Sequence, residues 1–225
     1  MADRTVLLTG FEPYGGRDLN PAHEAMKALD GRVIEGFTVA GRGLPVSLKE
    51  VRARLPALIE DVKPSAVISL GLGPGEAVIR LERVGVNLVD YEIRDNDGAF
   101  VSDDRVNSNA QEARFATLPL RAIETALLEQ GIPVRLSSAA GTFLCNACMF
   151  TVLDVLAARS AHVPAGFIHV PYIPEQVAGM IKVTRAGAGL DIHQRADVAS
   201  MELSRIVRAV ETAIAVTALQ IGGRT

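Results

Sequence analysis

Two kinds of hydrophobic pattern alternate along the chain. Short runs of consecutive apolar residues are typical of buried strands, whereas apolar residues that recur every three or four positions are typical of helices that bury one face. The first pattern predicts strands or extended segments at 5–9, 32–40, 66–70, 79–93, 134–138 and 166–170. The second pattern predicts helices at 21–29, 47–63 and 119–130, from about 145 onward, and at roughly 198–219.

The second of these helices carries its own start and stop signals. Ser47, followed three residues later by Glu50, has the spacing of a capping box. Apolar residues then recur at helical spacing up to position 62, and Pro64 ends the pattern. Pro56 lies inside it, and because proline lacks a backbone N–H we expect it to kink the helix or restart it.

This alternation of strands and helices predicts an α/β fold. We expect a single domain over 1–225, in which a twisted sheet is flanked by helices on both faces. Sites in such folds form from loops at the carboxyl ends of strands. Three segments therefore attract attention: the Gly/Pro-rich loop at 10–21, the glycine-rich 71–75, and 141–145. The second of these does not match a dinucleotide-binding fingerprint, because Pro74 interrupts it and extended structure follows.

Length and charge narrow the class of protein. The chain has 225 residues, 48% of them hydrophobic, and a chain of this size buries about 70% of its unfolded surface, enough for one core. Its net charge is −3 and it has no Lys/Arg-rich run, so we expect no nucleic-acid partner. It also has no signal-peptide pattern and no apolar stretch long enough to cross a bilayer. We therefore expect a cytoplasmic protein that does not bind membranes.

Cys145 is the first candidate for chemistry. It follows a predicted strand and turn and opens a predicted helix, where free backbone N–H groups and the helix dipole favour a thiolate. The same N–H groups could bind an oxyanion. The alternative is a buried cysteine that acts as a small apolar residue. Cys148, one turn further on, completes a C-x-x-C pattern, so a redox pair is a further alternative, whereas a zinc site would need more ligands.

A thiol nucleophile needs a base and an acid that orients it. His169 ends the predicted strand 166–170, where a sheet presents side chains to a cleft; the alternative is a core histidine bonded to the backbone. Glu82 lies in an apolar extended run, so it needs a partner, and the alternative to a catalytic role is an ion pair with Arg80 or Arg83. The other histidines are His23, His162 and His193.

Several motifs together resemble the pyroglutamyl peptidase I family, also called pyrrolidone-carboxylate peptidases. They are LTGFEPYGG at 8–16, NP at 20–21, ERVGVN at 82–87, DN at 95–96, GTFLCN at 141–146 and IHVPYIPEQ at 168–176. The resemblance extends from residue 5 to about 176. It implies a cytoplasmic cysteine peptidase that removes N-terminal pyroglutamate from peptides and assembles as a homo-oligomer, a dimer or tetramer.

The resemblance also assigns roles to individual residues. It places the catalytic triad on Cys145, His169 and Glu82, and it implies no metal and no cofactor. Phe11 and Tyr14 correspond to the family's ring-contacting aromatic residues, and we expect Phe143 to line the same substrate pocket.

The sequence departs from the family pattern at several positions. Leu72 and Glu76 stand where the family usually has glutamine and arginine, and Glu92 stands where it has an arginine that supports the oxyanion. We therefore predict that Arg94 or Arg83 supplies this charge, or that the helix N-terminus suffices. The alternatives are a divergent cysteine amidohydrolase that acts on another small lactam, and a non-catalytic homologue that binds pyroglutamate.

Overall fold

A computed structural model of the protein describes residues 4–159, 162–186 and 199–223. Its elements follow the order β–α–β–β–α–β–β–β–β–α–β–α–β–α–α. The strands are β1 (Thr5–Phe11), β2 (Val33–Ile34), β3 (Phe37–Leu44), β4 (Ala66–Leu72), β5 (Ile79–Glu82), β6 (Val84–Val86), β7 (Ala113–Phe115), β8 (Val134–Ser137) and β9 (Ala165–Val170). The helices are α1 (Pro21–Leu29), α2 (Leu48–Val62), α3 (Leu120–Glu129), α4 (Leu144–Ala157), α5 (Pro174–Arg185) and α6 (Leu203–Ile221).

Seven of the strands form one mixed sheet in the order β2-β3-β1-β4-β9-β5-β8. Strands β3, β1, β4 and β9 are parallel to one another, whereas β5 pairs antiparallel with β9 and parallel with β8. Strands β6 and β7 form a separate two-stranded sheet. The reversal of strand direction between β9 and β5 matters for function. It lets polar residues from two neighbouring antiparallel strands lie side by side.

Helices cover both faces of the large sheet, which confirms the predicted α/β architecture. One apolar core lies between the sheet and α1, α3 and α6, and the other lies between the sheet and α2 and α4. Strand β1 shows why both faces are needed, since Leu7 belongs to one core and Val6 and Leu8 belong to the other, all fully buried. Alternate residues of a strand point to opposite faces, so a strand that is apolar throughout must be covered on both.

Several local predictions need correction. The segment 32–40 is a hairpin of β2 and β3 rather than one strand, because Glu35 and Gly36 both have positive φ and turn the chain. Helix α2 continues through Pro56 without a restart. Strand β7 and helix α5 were not predicted at all. Helix α6 begins at Leu203, and the predicted start at 198 lies outside the described residues.

The third loop singled out from the sequence also differs from expectation. Strand β8 runs antiparallel to β9, so the loop after β8 begins at the opposite end of the strands. The chain then returns across the α4 face, where Ala139 and Thr142 come back to the ends of the parallel strands.

Two features of the described residues concern membranes and metal ions. Among the described residues, no helix combines the length and apolar character that a membrane span requires. In the same part of the chain, no three His, Cys, Asp or Glu side chains gather in an arrangement suited to a metal ion.

Candidate active site

A cavity of about 430 Å³ opens where the loops after β1, β4 and β8 meet strand β9. Both Cys145 and His169 line it, as do Tyr14 and Phe143. Its remaining lining residues are Leu72, Gly73, Pro74, Arg80, Asp90, Glu92, Ile93, Ala139, Ala140, Gly141 and Thr142. Four of the eight residues that the sequence predicted for the site therefore face one space.

His169 and Glu82 meet because β9 and β5 are antiparallel neighbours. The register sets Glu82 opposite Phe167 and Arg80 opposite His169, so all four residues project from the same face of the sheet. The Nδ1 atom of His169 lies 2.8 Å from Oε1 of Glu82. Glu82 is fully buried. Because its carboxylate contacts Nδ1 of His169, the other ring nitrogen, Nε2, can face a different group.

Arg80 approaches the same carboxylate. Its Nη2 atom lies 2.9 Å from Oε1 of Glu82, the oxygen that also contacts His169. The two interpretations of Glu82 that the sequence left open, partner of a histidine and partner of an arginine, are therefore both realised. Arg83 takes no part in this contact, because it follows the end of β5 and is exposed.

Cys145 is the second residue of α4, next to the end of β4. The helix starts after Phe143, whose side chain makes no capping hydrogen bond, and the first N–H groups of a helix have no acceptor within it. A Cβ atom built on Gly71 would lie 2.7 Å from Sγ of Cys145 and 2.7 Å from Cζ of Phe167. Gly71 is also the register partner of His169 in β4–β9. Only a glycine at this position lets the thiol lie against the strands that carry the histidine.

The ionisation of this thiol is set by competing effects. Burial raises the pKa of Cys145, and Cys148 and Glu82 raise it further, whereas Arg80 and the residue's own backbone N–H lower it. The sequence predicted that the helix terminus would lower this pKa, but burial has the larger effect and raises it. A thiol whose pKa is raised needs a base to become a nucleophile.

Cys148 occupies a different environment from Cys145. It is fully buried inside α4, and both cysteines are free thiols. Burial raises the pKa of Cys148 to about 12, while the hydroxyls of Ser69 and Thr9 lower it. These two hydroxyls are hydrogen-bonded to each other across β1 and β4 at 2.9 Å. Cys148 therefore packs in the core and behaves as a small apolar residue.

Aromatic side chains form one wall of the cavity. Tyr14 and Phe143 lie with ring centroids 6.3 Å apart, and Tyr91, which the sequence analysis missed, packs edge-on against Phe143 at 4.6 Å. Phe11 does not line the cavity; it is buried in the core on the α2/α4 face. Arg17, also missed, lies 4.8 Å from the Tyr14 ring centroid. Alternating apolar and polar residues do not reveal such contacts, because loops bring these rings together.

The two arginines that were predicted to supply charge for the oxyanion, Arg83 and Arg94, lie outside the cavity lining. Arg94 is exposed, donates to the carbonyl of Gly98 and lies over the ring of Phe100, and neither it nor Arg83 is among the residues that line the cavity. Glu92 and Leu72, two of the three departures from the family pattern, do line it. Of the other histidines, His23 and His162 lie outside the cavity, and His193 is outside the described residues.

Asn146 anchors the helix that carries Cys145. It is fully buried, and its Nδ2 atom donates to the carbonyls of Val86 and Leu88, each at 2.8 Å. Its Oδ1 atom accepts from the N–H of Val86, also at 2.8 Å. These three bonds join the start of α4 to β6 and the residues that follow it. Apart from its place in the motif GTFLCN, no sequence pattern predicts this role for Asn146.

Replacing Asn146 by alanine is expected to lower the free energy of unfolding by about 3 kcal/mol, because it removes three hydrogen bonds to partly buried backbone groups. Urea denaturation followed by circular dichroism measures this change. The matched control is Asn96→Ala, since exposed Asn96 makes one side-chain bond, to the carbonyl of Pro13. Equal losses in the two variants would contradict the anchoring role.

The chain is similar to known proteins in both sequence and fold. The family model described as pyroglutamyl peptidase matches residues 4–220. The pyrrolidone-carboxylate peptidase of Escherichia fergusonii is 40% identical over 218 residues, 97% of this chain and 94% of that protein. The one from Thermococcus litoralis is 45% identical over 174 residues, 77% of this chain and 79% of that protein. The crystal structure of a mutant pyrrolidone carboxyl peptidase from P. furiosus has a TM-score of 0.87 at 39% identity, covering 96% of this chain and 98% of that one.

Proposed function

Because the chain belongs to the pyroglutamyl peptidase family, we propose that it removes an N-terminal L-pyroglutamyl residue from peptides through a Cys145–His169–Glu82 triad. The observation that carries the triad is the contact of 2.8 Å between His169 Nδ1 and Glu82 Oε1, in the cavity that Cys145 also lines. No metal or cofactor enters the reaction as we propose it.

The chemistry follows from the protonation of the three groups. The Nε2 atom of His169 takes the proton from the Cys145 thiol as Sγ attacks the carbonyl carbon that joins pyroglutamate to the next residue. The tetrahedral intermediate collapses, the C–N bond breaks, and the imidazolium returns the proton to the leaving amine. Water, deprotonated by the same imidazole, then hydrolyses the thioester and restores the thiol. Glu82 holds the ring in the tautomer that both steps need.

The oxyanion needs donors near the thiol. The free backbone N–H groups at the start of α4 support this role, since Cys145 is the second residue of that helix. Arg83 and Arg94 do not reach the cavity, so we assign the oxyanion to the helix terminus, the other source that the sequence analysis named.

The cavity suits a small neutral lactam. Tyr14 and Phe143 supply apolar faces for the pyroglutamyl ring, with Leu72 and Ile93 along the same wall. Phe11 does not contact the cavity; it packs in the core that supports this wall. A charged free amino terminus would lose its hydration against the apolar rings of Tyr14 and Phe143, so the part of the slot that these rings form favours pyroglutamate over proline or glutamine.

The expected outcome is release of 7-amino-4-methylcoumarin from its L-pyroglutamyl amide with kcat/KM at least about a hundredfold above that for the L-prolyl amide, because only the prolyl substrate brings a charge into the pocket. Continuous fluorescence measures both rates. The six-membered lactam homologue of the pyroglutamyl amide serves as a third substrate. Faster cleavage of that homologue would identify an amidohydrolase for a different lactam, and tight binding of pyroglutamate with no cleavage of any substrate would identify a non-catalytic binding protein.

The resemblance to the family also supports two broader proposals, a cytoplasmic location and assembly into a homo-oligomer, either a dimer or a tetramer. Both stay predictions. Peptides with N-terminal pyroglutamate are the partners that the proposed activity requires.

A further inference from the structure

Arg80 enters the catalytic cavity from strand β5. It is the one arginine or lysine among the described residues that line this cavity. Its side chain is 19% exposed, and its strand position faces His169 directly. The proposed mechanism does not use this cation, although its guanidinium touches the same carboxylate oxygen as the catalytic imidazole.

The guanidinium is fixed in place by several acceptors. Besides Glu82, it binds Oε1 of Glu76 at 2.8 Å, Oγ of Ser137 at 2.9 Å and the carbonyl of Ala139 at 2.6 Å. Glu76 is itself paired with Arg135 at 2.9 Å. The two arginines of this cluster, Arg80 and Arg135, therefore match its two carboxylates, and of the two only Arg80 contacts Glu82 in the described part of the chain.

We propose that Arg80 is a positioning residue that sets the pH range in which the Cys145–His169 pair works, through its contact with Glu82. The inference rests on the proposed function. A carboxylate that contacts only a histidine strongly stabilises the protonated imidazole. The guanidinium on the same oxygen offsets that attraction, and its positive charge also lowers the pKa of the Cys145 thiol, so the pair gives up a proton at lower pH.

The direction of this effect does not depend on which member of the pair carries the proton. Coupled groups lose their protons as a unit, and a nearby positive charge makes each loss easier. Removing that charge makes the pair hold its proton to higher pH. The other titratable groups that face the pair are Tyr14 from the loop after β1, Asp90 and Glu92 from the loop after β6, Cys148 within α4 and Glu82 on β5.

The test compares the pH dependence of kcat/KM in wild type, Arg80→Gln, Arg80→Lys and Arg135→Gln. In Arg80→Gln the acid limb is expected to move to higher pH by roughly one unit, the size of shift that a single close charge produces. Arg80→Lys keeps the positive charge, so its acid limb is expected to stay at the wild-type position. Arg135→Gln breaks an ion pair with Glu76 in the same network but does not touch Glu82, so its acid limb stays at the wild-type position.

A second readout does not require peptidase activity. The rate at which iodoacetamide alkylates Cys145, assigned by mass spectrometry, is followed against pH in the same four proteins. Its acid limb is expected to move with that of kcat/KM, so a failure of the proposed substrate would leave this measurement intact. Arg80→Met, which keeps the apolar stem of the side chain, replaces Arg80→Gln if thermal melting shows that the latter does not fold. A lower rate at every pH with an unmoved limb would overturn the proposal and leave Arg80 a structural role.

Discussion

Replacing Cys145 by alanine is expected to reduce kcat/KM for L-pyroglutamyl amides at least about a thousandfold, because removal of a nucleophile leaves only the contribution of binding and oxyanion donors. The thiol lies at the start of α4, against Gly71 and within the cavity that His169 lines. Alanine removes Sγ without adding volume, so the fold is expected to persist. Release of the fluorescent amine, with circular dichroism of the same samples, measures the effect.

Cys148→Ala is the matched control for this experiment. The two cysteines share one helix, but Cys148 is fully buried against the Thr9 and Ser69 hydroxyls. We expect its substitution to lower stability by about 1 kcal/mol through a small cavity and to leave kcat/KM within about threefold of wild type. Equal loss of activity in both variants would instead indicate a redox pair and contradict the single-nucleophile mechanism.

Glu82→Gln is expected to lower kcat/KM by roughly a thousandfold, because a neutral amide neither fixes the imidazole tautomer nor stabilises the imidazolium that forms during attack. The substitution keeps the size of the side chain but removes the charge of one of the two carboxylates that Arg80 contacts. Since the carboxylate acts on the chemical step rather than on the substrate, kcat is expected to fall while KM changes little. Steady-state kinetics over a range of substrate concentrations separates the two constants.

Glu76→Gln provides the comparison for that variant. Glu76 contacts Arg80 at 2.8 Å, as Glu82 does at 2.9 Å, but it makes no contact with His169 among those found in the described part of the chain. Its substitution is expected to leave most of the activity. If both glutamine variants lost activity equally, the ion-pair network as a whole would be responsible, and the special role of Glu82 would be refuted.

The elements with strong local signals could be predicted from the sequence. Helix α1 has the bounds that the pattern predicted, since Pro21 is pre-organised for the first turn and the side chain of Asn20 caps it through the N–H of Ala22. The hairpin of β2 and β3 could not be predicted in the same way. Its turn depends on Glu35 in a conformation with φ of 48°, which a glutamate seldom adopts and no pattern of apolar residues announces.

The site was predictable to the extent that its residues stand out individually. Cys145, His169 and Glu82 each occupy a conspicuous position along the chain, at a helix start, at a strand end and inside an apolar run. The role of Arg80 depends instead on the register of β5 against β9, which pairs residues 89 positions apart. The sequence left Arg80 and Arg83 open as ion-pair partners of Glu82, and alternation along the strand decides between them, since Arg80, two residues before Glu82, lies on the same face as the carboxylate.

The reversal of direction between β9 and β5 has a consequence for how the enzyme meets its substrate. His169 and Glu82, the proposed base and its acid partner, stand on adjacent strands that are joined by backbone hydrogen bonds, so their mutual geometry is fixed when the chain folds. The conformational entropy of bringing them together is therefore lost at folding and not at each binding event. Cys145, the proposed nucleophile, belongs to a separate element, and Asn146 and Gly71 hold that element against the sheet. In the proposed mechanism, a peptide that enters this cavity therefore encounters a pre-organised catalyst.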